Sequence, residues 1–245
     1  MFSLLKKEIN SYLTSLIGYI TIFVFLVING LFLWVIHSYA NVFDSSSASL
    51  DGLFYISPWV FLFLISAITM KMFAEEKKNG TIELLLTSPI SDTAIILAKF
   101  FAALLIVILS VLPTMIYIIC VYNLGSPVGN LDIGGILGSY IGLVLLGGVF
   151  CSIGIFSSSL TNNQIVAFIL SVLICLVMYS GFDILSMITW LSKIDLTIQR
   201  FGIAYHYNSV SRGVVDSKDI IYFASVAAFF ILLTKISLES RNWKK

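Results

Sequence analysis

The sequence predicts an all-α membrane protein that crosses the bilayer six times. Three observations support this fold class: 59% of the 245 residues are hydrophobic, only 11% are charged, and the charges cluster between long charge-free runs. Soluble domains carry about 25% charged residues. The composition excludes a disordered chain, a disulfide scaffold and an ordinary soluble enzyme. The net charge of +1 gives no reason to expect a nucleic-acid partner.

The charge-free runs locate the membrane-spanning helices, each of which needs about 20 mainly apolar residues. The long runs are residues 9–43, 52–70, 100–131, 133–182 and 220–234. The fourth run is long enough for two helices joined by a polar turn at 157–164, and Lys235 can extend the last by reaching the headgroup layer. A β-barrel would need alternating segments, and these runs are continuously apolar. We predict spans near 16–38, 56–73, 94–121, 133–156, 165–182 and 220–238.

The basic residues predict the orientation of these spans. An even number of spans places both termini on one side, and that side holds ten of the 14 Lys and Arg residues. Short cytoplasmic loops collect Lys and Arg. We therefore expect both termini in the cytoplasm, which for a bacterial protein means insertion in the inner membrane.

A single transmembrane domain accounts for the whole chain. Apolar residues at three- and four-residue steps, from Phe2 to Leu16, predict an amphipathic helix in the membrane interface over 1–15. The remaining parts are spans one and two (16–73), a charged coupling region (74–92), spans three to five (94–182), an outer segment (183–219), and span six with a tail (220–245). Asn29 is expected to hydrogen-bond to another helix, and Pro113 to kink the third span.

The coupling region contains chemistry that a plain loop does not need. Asn79-Gly80 can end the helix that continues from the second span, and Thr81 can cap a short helix over 82–87. Glu83 is favoured in the first turn of that helix. Ser91 can then cap the third span. The short helix presents three consecutive leucines, which favour either a partner surface or burial in the membrane interface.

This region resembles the signature of ABC-2-type transporter permeases, and in particular the permease subunit of the gliding-motility-associated ABC transporter. The family pattern E-x-x-x-G-T-x-E-x-L-x-x-x-P-I is matched by Glu76, Gly80, Thr81, Glu83, Leu85, Pro89 and Ile90. In that family the pattern forms a coupling helix that docks on a cytoplasmic ATP-binding subunit. The resemblance therefore implies a type V exporter-like permease fold and assigns ATPase coupling to Glu75, Glu76, Gly80, Thr81, Ile82, Glu83, Leu84, Leu85, Leu86 and Pro89.

The resemblance also implies partners and cofactors. The chain has no G-x-x-x-x-G-K-[ST] loop, so ATP and Mg²⁺ would be bound by the partner ATPase subunit and not by this chain. Six spans are half of the usual twelve, which implies pairing with a second permease as a homodimer or heterodimer. The expected activity is ATP-driven export across the membrane, with no catalytic residue and no metal site in this chain.

Two further segments carry information. Gly134, Gly138 and Gly142 lie on one helix face, which predicts close helix packing, either static or sliding during transport. The run Leu191, Ile194, Ile198, Phe201 and Tyr205 predicts one amphipathic helix in the outer segment. ABC-2 permeases have short, partly re-entrant outer helices at this position.

Two alternative functions are weighed against transport. Glu75-Glu76 invites comparison with membrane proteases of the CAAX type, but these also need an Arg at position 79, which is Asn here, and histidines on later spans. His37 and His206 instead lie near predicted span boundaries. The other alternative is a non-transporting membrane scaffold for surface machinery, which would not need an ATPase partner.

Overall fold

The computed structural model describes residues 2–45, 48–83, 90–187, 194–213 and 215–240, and within these residues it contains helices and no strands. The α-helices are α1 (Phe2–Leu13), α2 (Leu16–Trp34), α3 (Asp51–Thr69), α4 (Lys71–Lys78), α5 (Asp92–Val111), α6 (Ile116–Leu124), α7 (Ile133–Leu160), α8 (Gln164–Leu176), α9 (Phe182–Ser186), α10 (Asp195–Gln199), α11 (Ile203–Val210) and α12 (Ser217–Glu239). A 3₁₀ segment, Leu112–Met115, joins α5 to α6, and a π-helical segment, Val177–Gly181, joins α8 to α9.

Six helical stretches in the described part are long and apolar enough to cross a membrane. They are Leu16–Trp34, Asp51–Lys78, Asp92–Leu124, Ile133–Leu160, Gln164–Ser186 and Ser217–Glu239. The predicted number of spans is confirmed. The second span begins at Asp51, five residues earlier than the predicted start at residue 56. Helix α3 continues through Pro58, so the proline does not mark the start of the span.

The fourth span is the centre of the bundle. In the apolar 18-residue stretch of this span, 78% of the residues are buried, compared with 28% in the first span and 17% in the sixth. Helix α7 packs against α3, α5, α8 and α12. The outer spans expose large apolar side chains, as expected where lipid replaces water as the surrounding solvent.

Two ends of the bundle can be distinguished by contacts. The near face carries α1, the hinge between α4 and α5, the turn after α7 and the end of α12. Ser237 on α12 donates a hydrogen bond to Ser159 O at 3.1 Å, and Lys99 on α5 contacts Glu8 on α1, which places these ends together. The far face carries residues 35–45, 48–50 and 125–132, together with the described residues between α9 and the start of α12.

The N-terminal helix buries a different face from the apolar stripe seen in the sequence. Leu4, Glu8 and Tyr12, spaced four residues apart, are buried against the bundle, whereas Phe2 is 86% exposed. The apolar stripe therefore faces outward or is half-buried, and the carboxylate of Glu8 points inward. The reason for this orientation is an ion pair that is described below.

The predicted interruptions of the spans are present. At Pro113 the third span tightens into the 3₁₀ segment, because proline has no amide hydrogen to donate to the preceding turn. Asn29 is fully buried on α2, and its Oδ1 accepts a hydrogen bond from Ser57 on α3 at 3.1 Å.

The single amphipathic helix predicted for the outer segment is wrong for the residues that the structure describes. Two short helices, α10 and α11, are separated by Arg200–Gly202. Gly202 donates its amide to Gln199 O at 2.8 Å, which closes a turn and stops α10. Phe201 is consequently 62% exposed, whereas Ile203 is fully buried. Leu191 lies outside the described residues.

Candidate functional site

The hinge between the second and third spans begins with the predicted left-handed cap. Asn79 donates its amide to Glu75 O at 2.9 Å, and Gly80 follows with a φ of 69°. No atom would contact a Cβ at Gly80 within 4 Å, so this position requires glycine for its backbone angle and not for space. Helix α4 therefore ends at this position through the backbone conformation of Gly80.

The structure describes only the first residues of the predicted coupling helix. Ile82 is helical and half-buried, and Glu83 is helical and exposed. Thr81 donates its hydroxyl to Glu76 O at 3.4 Å, back toward α4. Leu84, Leu85, Leu86 and Pro89 lie outside the described residues. Helix α5 starts after Ser91, which has the extended backbone of a cap but no capping hydrogen bond from its side chain.

The main feature of the near face is a buried ammonium ion that joins three helices. Lys99, on α5, is only 1% exposed. Its Nζ donates to Glu8 Oε1 on α1 at 3.1 Å and to Glu76 Oε1 on α4 at 2.7 Å. The same Nζ lies 5.2 Å from the centre of the Phe73 ring. A buried charge is tolerated only when it is paired and hydrogen-bonded, so Lys99 holds the three helices in one arrangement.

The cluster contains more hydrogen-bond acceptors than donors. Two carboxylates share one ammonium, and Glu76 Oε2 is buried without a hydrogen bond from any described residue. A cavity of about 400 Å³ opens beside it, with Glu75, Lys7 and Lys71 in its wall. The two wall lysines place positive charge around the acidic pair, and the open space admits water to the hinge side of the cluster.

Tyr12 adds a second link between α1 and the second span. Its hydroxyl donates to Ile68 O at 3.1 Å. Burial raises the pKa of Tyr12 well above its usual range, with the nearby Glu8 acting in the same direction. The phenol therefore stays neutral and keeps its proton for this hydrogen bond.

Helix α4 is also fastened to the central span. At the break between α3 and α4, Ser158 Oγ accepts from the amides of Phe73 and Ala74 at 3.0 Å and donates to Met70 O at 2.9 Å. Lys77 Nζ donates to Ser159 O near the C-terminus of α7, where carbonyl groups lack helical partners and the helix dipole favours a cation. These hydrogen bonds would therefore transmit a movement of α4 to the C-terminal end of α7.

Sequence reasoning found one member of this cluster and missed the others. Glu76 was assigned to ATPase coupling, and Lys99 was noted only as the residue that follows the family-like run, whereas Glu8 and Ser158 were not singled out. A signal for Lys99 was available, because it falls inside the predicted third span, and an ionisable residue within a span is by default a functional hypothesis. Its partners could not be found the same way, since Glu8 is 91 positions away in the chain.

The three glycines singled out on α7 have different surroundings. A Cβ at Gly138 would lie 2.9 Å from Gly213 Cα, and a Cβ at Gly142 would lie 2.9 Å from Val210 Cγ1. Gly134 has only the Asp132 side chain nearby, at 3.4 Å. Elsewhere on α7, a Cβ at Gly154 would overlap the Thr69 side chain of the second span.

Comparison with known proteins agrees with this arrangement. The family model described as "ABC-2 family transporter protein" matches residues 2–238. No curated protein matches the chain. The match runs from the start of α1 almost to the end of α12 and so includes all six spans, the hinge and the Lys99 cluster. The chain is a multi-pass membrane protein that belongs to the ABC-2 family of transporter proteins.

Proposed function

We propose that this chain is the permease subunit of an ATP-driven exporter and that the hinge after Gly80 couples it to a separate ATPase subunit. The observation that carries the proposal is the link from this hinge, through Glu76 and Lys99, to α1 and α5. A displacement of the hinge would move α4, and the buried ion pairs of Lys99 would transmit this movement to α1 and to the start of α5.

The partner subunit would bind ATP and Mg²⁺ and would supply the force. Glu83 and the leucines that follow it would meet a groove on that subunit, and Glu75 would lie at the edge of the contact. A second permease, identical or different, would complete the pathway, with lipid around both. Closure of two ATPase subunits on ATP would then shift the population between inward- and outward-facing states.

The finer assignment follows from the same resemblance. We place both termini in the cytoplasm and the chain in a bacterial inner membrane, and we propose gliding motility as the process that it serves. The protease alternative has less support, because no histidine is among the described residues that line the cavity beside Glu75 and Glu76. Instead, His37 pairs with Asp44 and His206 with Asp219, both toward the far face.

Co-purification tests this function directly. The tagged chain, extracted in a mild detergent from its own cells, is expected to bring down a nucleotide-binding subunit with measurable ATPase activity. Glu83→Lys should lose this subunit because it reverses a charge at the proposed contact, and Gly80→Pro should lose it because proline cannot adopt a positive φ. Lys218→Glu, a charge reversal on the far face, is the matched control.

Two outcomes would count against the proposal. If no ATPase accompanies the wild-type chain, the permease function is wrong. If both hinge variants keep the ATPase while Lys218→Glu behaves like the wild type, the docking position is wrong. Membrane insertion of each variant is checked by extraction and size-exclusion chromatography.

A further inference from the structure

A cavity at the far face combines aromatic rings with charges of both signs. It has a volume of about 560 Å³ and lies between α3, the π-helical segment and α11. A neighbouring cavity of about 730 Å³ shares Asp183, Asn208 and Arg212 with it. These volumes are in the range of small-molecule sites, about 300–1,000 Å³.

The rings of this cavity are arranged as two perpendicular pairs. Trp59 and Tyr179 have ring centres 5.6 Å apart at 83°, and Tyr39 and Tyr55 have centres 6.0 Å apart at 71°. Tyr179 is buried and comes from the π-helical segment. Local π-helix is rare and is common at functional sites. Edge-to-face walls of this kind present ring faces from several directions, as in the aromatic cages that bind quaternary ammonium groups.

Three charged side chains in the same cavity have no ionic partner in the structure. Asp51 and Asp183 are acidic and Arg212 is basic, and none of them forms an ion pair with another described residue. The two carboxylates would repel an anion, and the guanidinium would repel a simple cation. A ligand that carries both a positive and a negative group satisfies all three.

The exposed face of α3 extends this cavity along the span. Tyr55, Trp59 and Phe63 follow one another at four-residue steps and are 61%, 42% and 55% exposed. Trp59 is eight residues from the start of α3, which is about 12 Å along the helix axis. The charged end of the cavity is therefore at headgroup depth, and the aromatic stripe runs toward the hydrocarbon.

From these observations we infer that the far-face cavity binds a zwitterionic phospholipid. Its amine lies among the aromatic rings near Asp51 and Asp183, its phosphate faces Arg212, and its acyl chains follow Trp59 and Phe63. This inference rests on the proposed function in one respect: if the chain is a permease, the lipid bound in this cavity represents the class of molecule that it transports.

The test measures headgroup selectivity of the purified full-length chain. The chain, in a neutral maltoside detergent, is titrated with dihexanoyl-phosphatidylcholine or dihexanoyl-phosphatidylglycerol, and retained lipid is counted by native mass spectrometry. One choline lipid per chain should be retained at a concentration about tenfold lower than that needed for the glycerol lipid, in line with a desolvated cation–π contact.

Variants locate the site. Trp59→Leu should remove most of this selectivity, because it removes a ring from the amine site. Arg212→Gln should instead weaken retention of both lipids, because both carry the phosphate that Arg212 faces, and Arg212→Lys should restore part of that retention. Phe229→Leu, an exposed aromatic change on α12, and Lys218→Gln, an exposed charge change on the far face, should leave retention and selectivity intact. All variants must elute as the wild type on size exclusion.

Equal retention of the two lipids, or equal loss in the control variants, would overturn the inference. Its failure is distinguishable from failure of the proposed function. Selective lipid binding without an accompanying ATPase would refute the transporter proposal alone, and ATPase co-purification without lipid selectivity would refute the lipid site alone.

Discussion

Lys99 is the residue whose environment most constrains the near face. It is nearly inaccessible to solvent, yet it carries a charge and satisfies two carboxylates from different helices. A buried ion pair of this kind contributes little net stability, because the cost of desolvating the charges offsets their attraction. Removal of one partner is nevertheless destabilising, because it leaves the other charges buried and unpaired. The value of Lys99 to the protein is the specific arrangement of α1, α4 and α5.

Replacement of Lys99 should therefore be costly. Lys99→Met leaves Glu8 and Glu76 without a counter-charge and should destabilise the fold by about 3–5 kcal/mol, the usual cost of breaking a buried pair. Lys235→Met is the control, since Lys235 and Glu239 form a partly exposed pair on one helix, and such solvent-accessible pairs are worth about 0–1 kcal/mol. Unfolding by SDS in mixed micelles measures both, and similar losses would contradict the role given to Lys99.

His206 is the corresponding residue near the far face. Its Nδ1 lies 2.7 Å from Asp219 Oδ1 and its Nε2 lies 2.9 Å from Arg200 O. Both neighbours are acceptors, so the ring satisfies both contacts only when both nitrogens carry a proton. The ring also stacks on Tyr222, with centres 3.8 Å apart. The sequence indicated an interface residue, and the structure adds a buried carboxylate partner.

A double-mutant cycle should detect this pair. His206→Phe keeps a ring against Tyr222 but leaves the Asp219 carboxylate without its donor. We expect a loss of about 1.5–3 kcal/mol, typical of a hydrogen bond to a charged group. The same change in an Asp219→Asn background should cost clearly less. Additive effects, measured by the same SDS titration, would mean that the two side chains are not coupled.

At the scale of elements, α7 is decisive because several neighbours lie close to its glycines, among them Val107 of α5, Val210 of α11 and Thr69 of α3. Glycines allow that approach in lipid, where helices gain no hydrophobic driving force from one another. Equal spacing along the helix does not make them equivalent. Gly154 is in contact with Thr69 of α3, whereas Gly134 is beside its own capping residue. The surroundings of each glycine depend on the helix that crosses it.

Substitutions by alanine should separate these positions. Gly154→Ala places a methyl group into Thr69 and should destabilise the fold by about 1–3 kcal/mol, as overpacking usually does. Gly134→Ala meets only a side chain at an ordinary contact distance and should be neutral within about 0.5 kcal/mol. Thermal unfolding in detergent ranks the two. A larger loss at Gly134 would contradict the packing described for α7.

At the scale of the whole molecule, the distribution of charge predicts the orientation. The near face contains α1, α4, Lys99 of α5 and the end of α12, which together carry seven of the 14 Lys and Arg residues, and three more follow α12 in the sequence. A fluorescent reporter that matures only in the cytoplasm should be active after Lys245, and a phosphatase that needs the periplasm should be inactive there. The same phosphatase inserted within 125–132 should be active. Reversed signals would invert the proposed topology.

The six spans and the position of the hinge are determined by the sequence alone. The reason is local: a helix crosses a bilayer when enough consecutive residues are apolar, and Asn79-Gly80 ends a helix through its own backbone preference. Neither property depends on distant parts of the chain. The effects of Pro113 and Asn29 were predictable for the same reason. Proline lacks a backbone N–H wherever it occurs, and a side-chain amide within an apolar span needs a hydrogen-bond partner.

Other features were decided only by tertiary structure. The apolar stripe of the N-terminal helix was visible in the sequence, but Glu8 faces inward because Lys99, far along the chain, needs a partner. The far-face cavity unites residues from 39 to 212. In each case the energy comes from pairing or packing between segments that are remote in sequence, and a linear pattern does not record which segments meet.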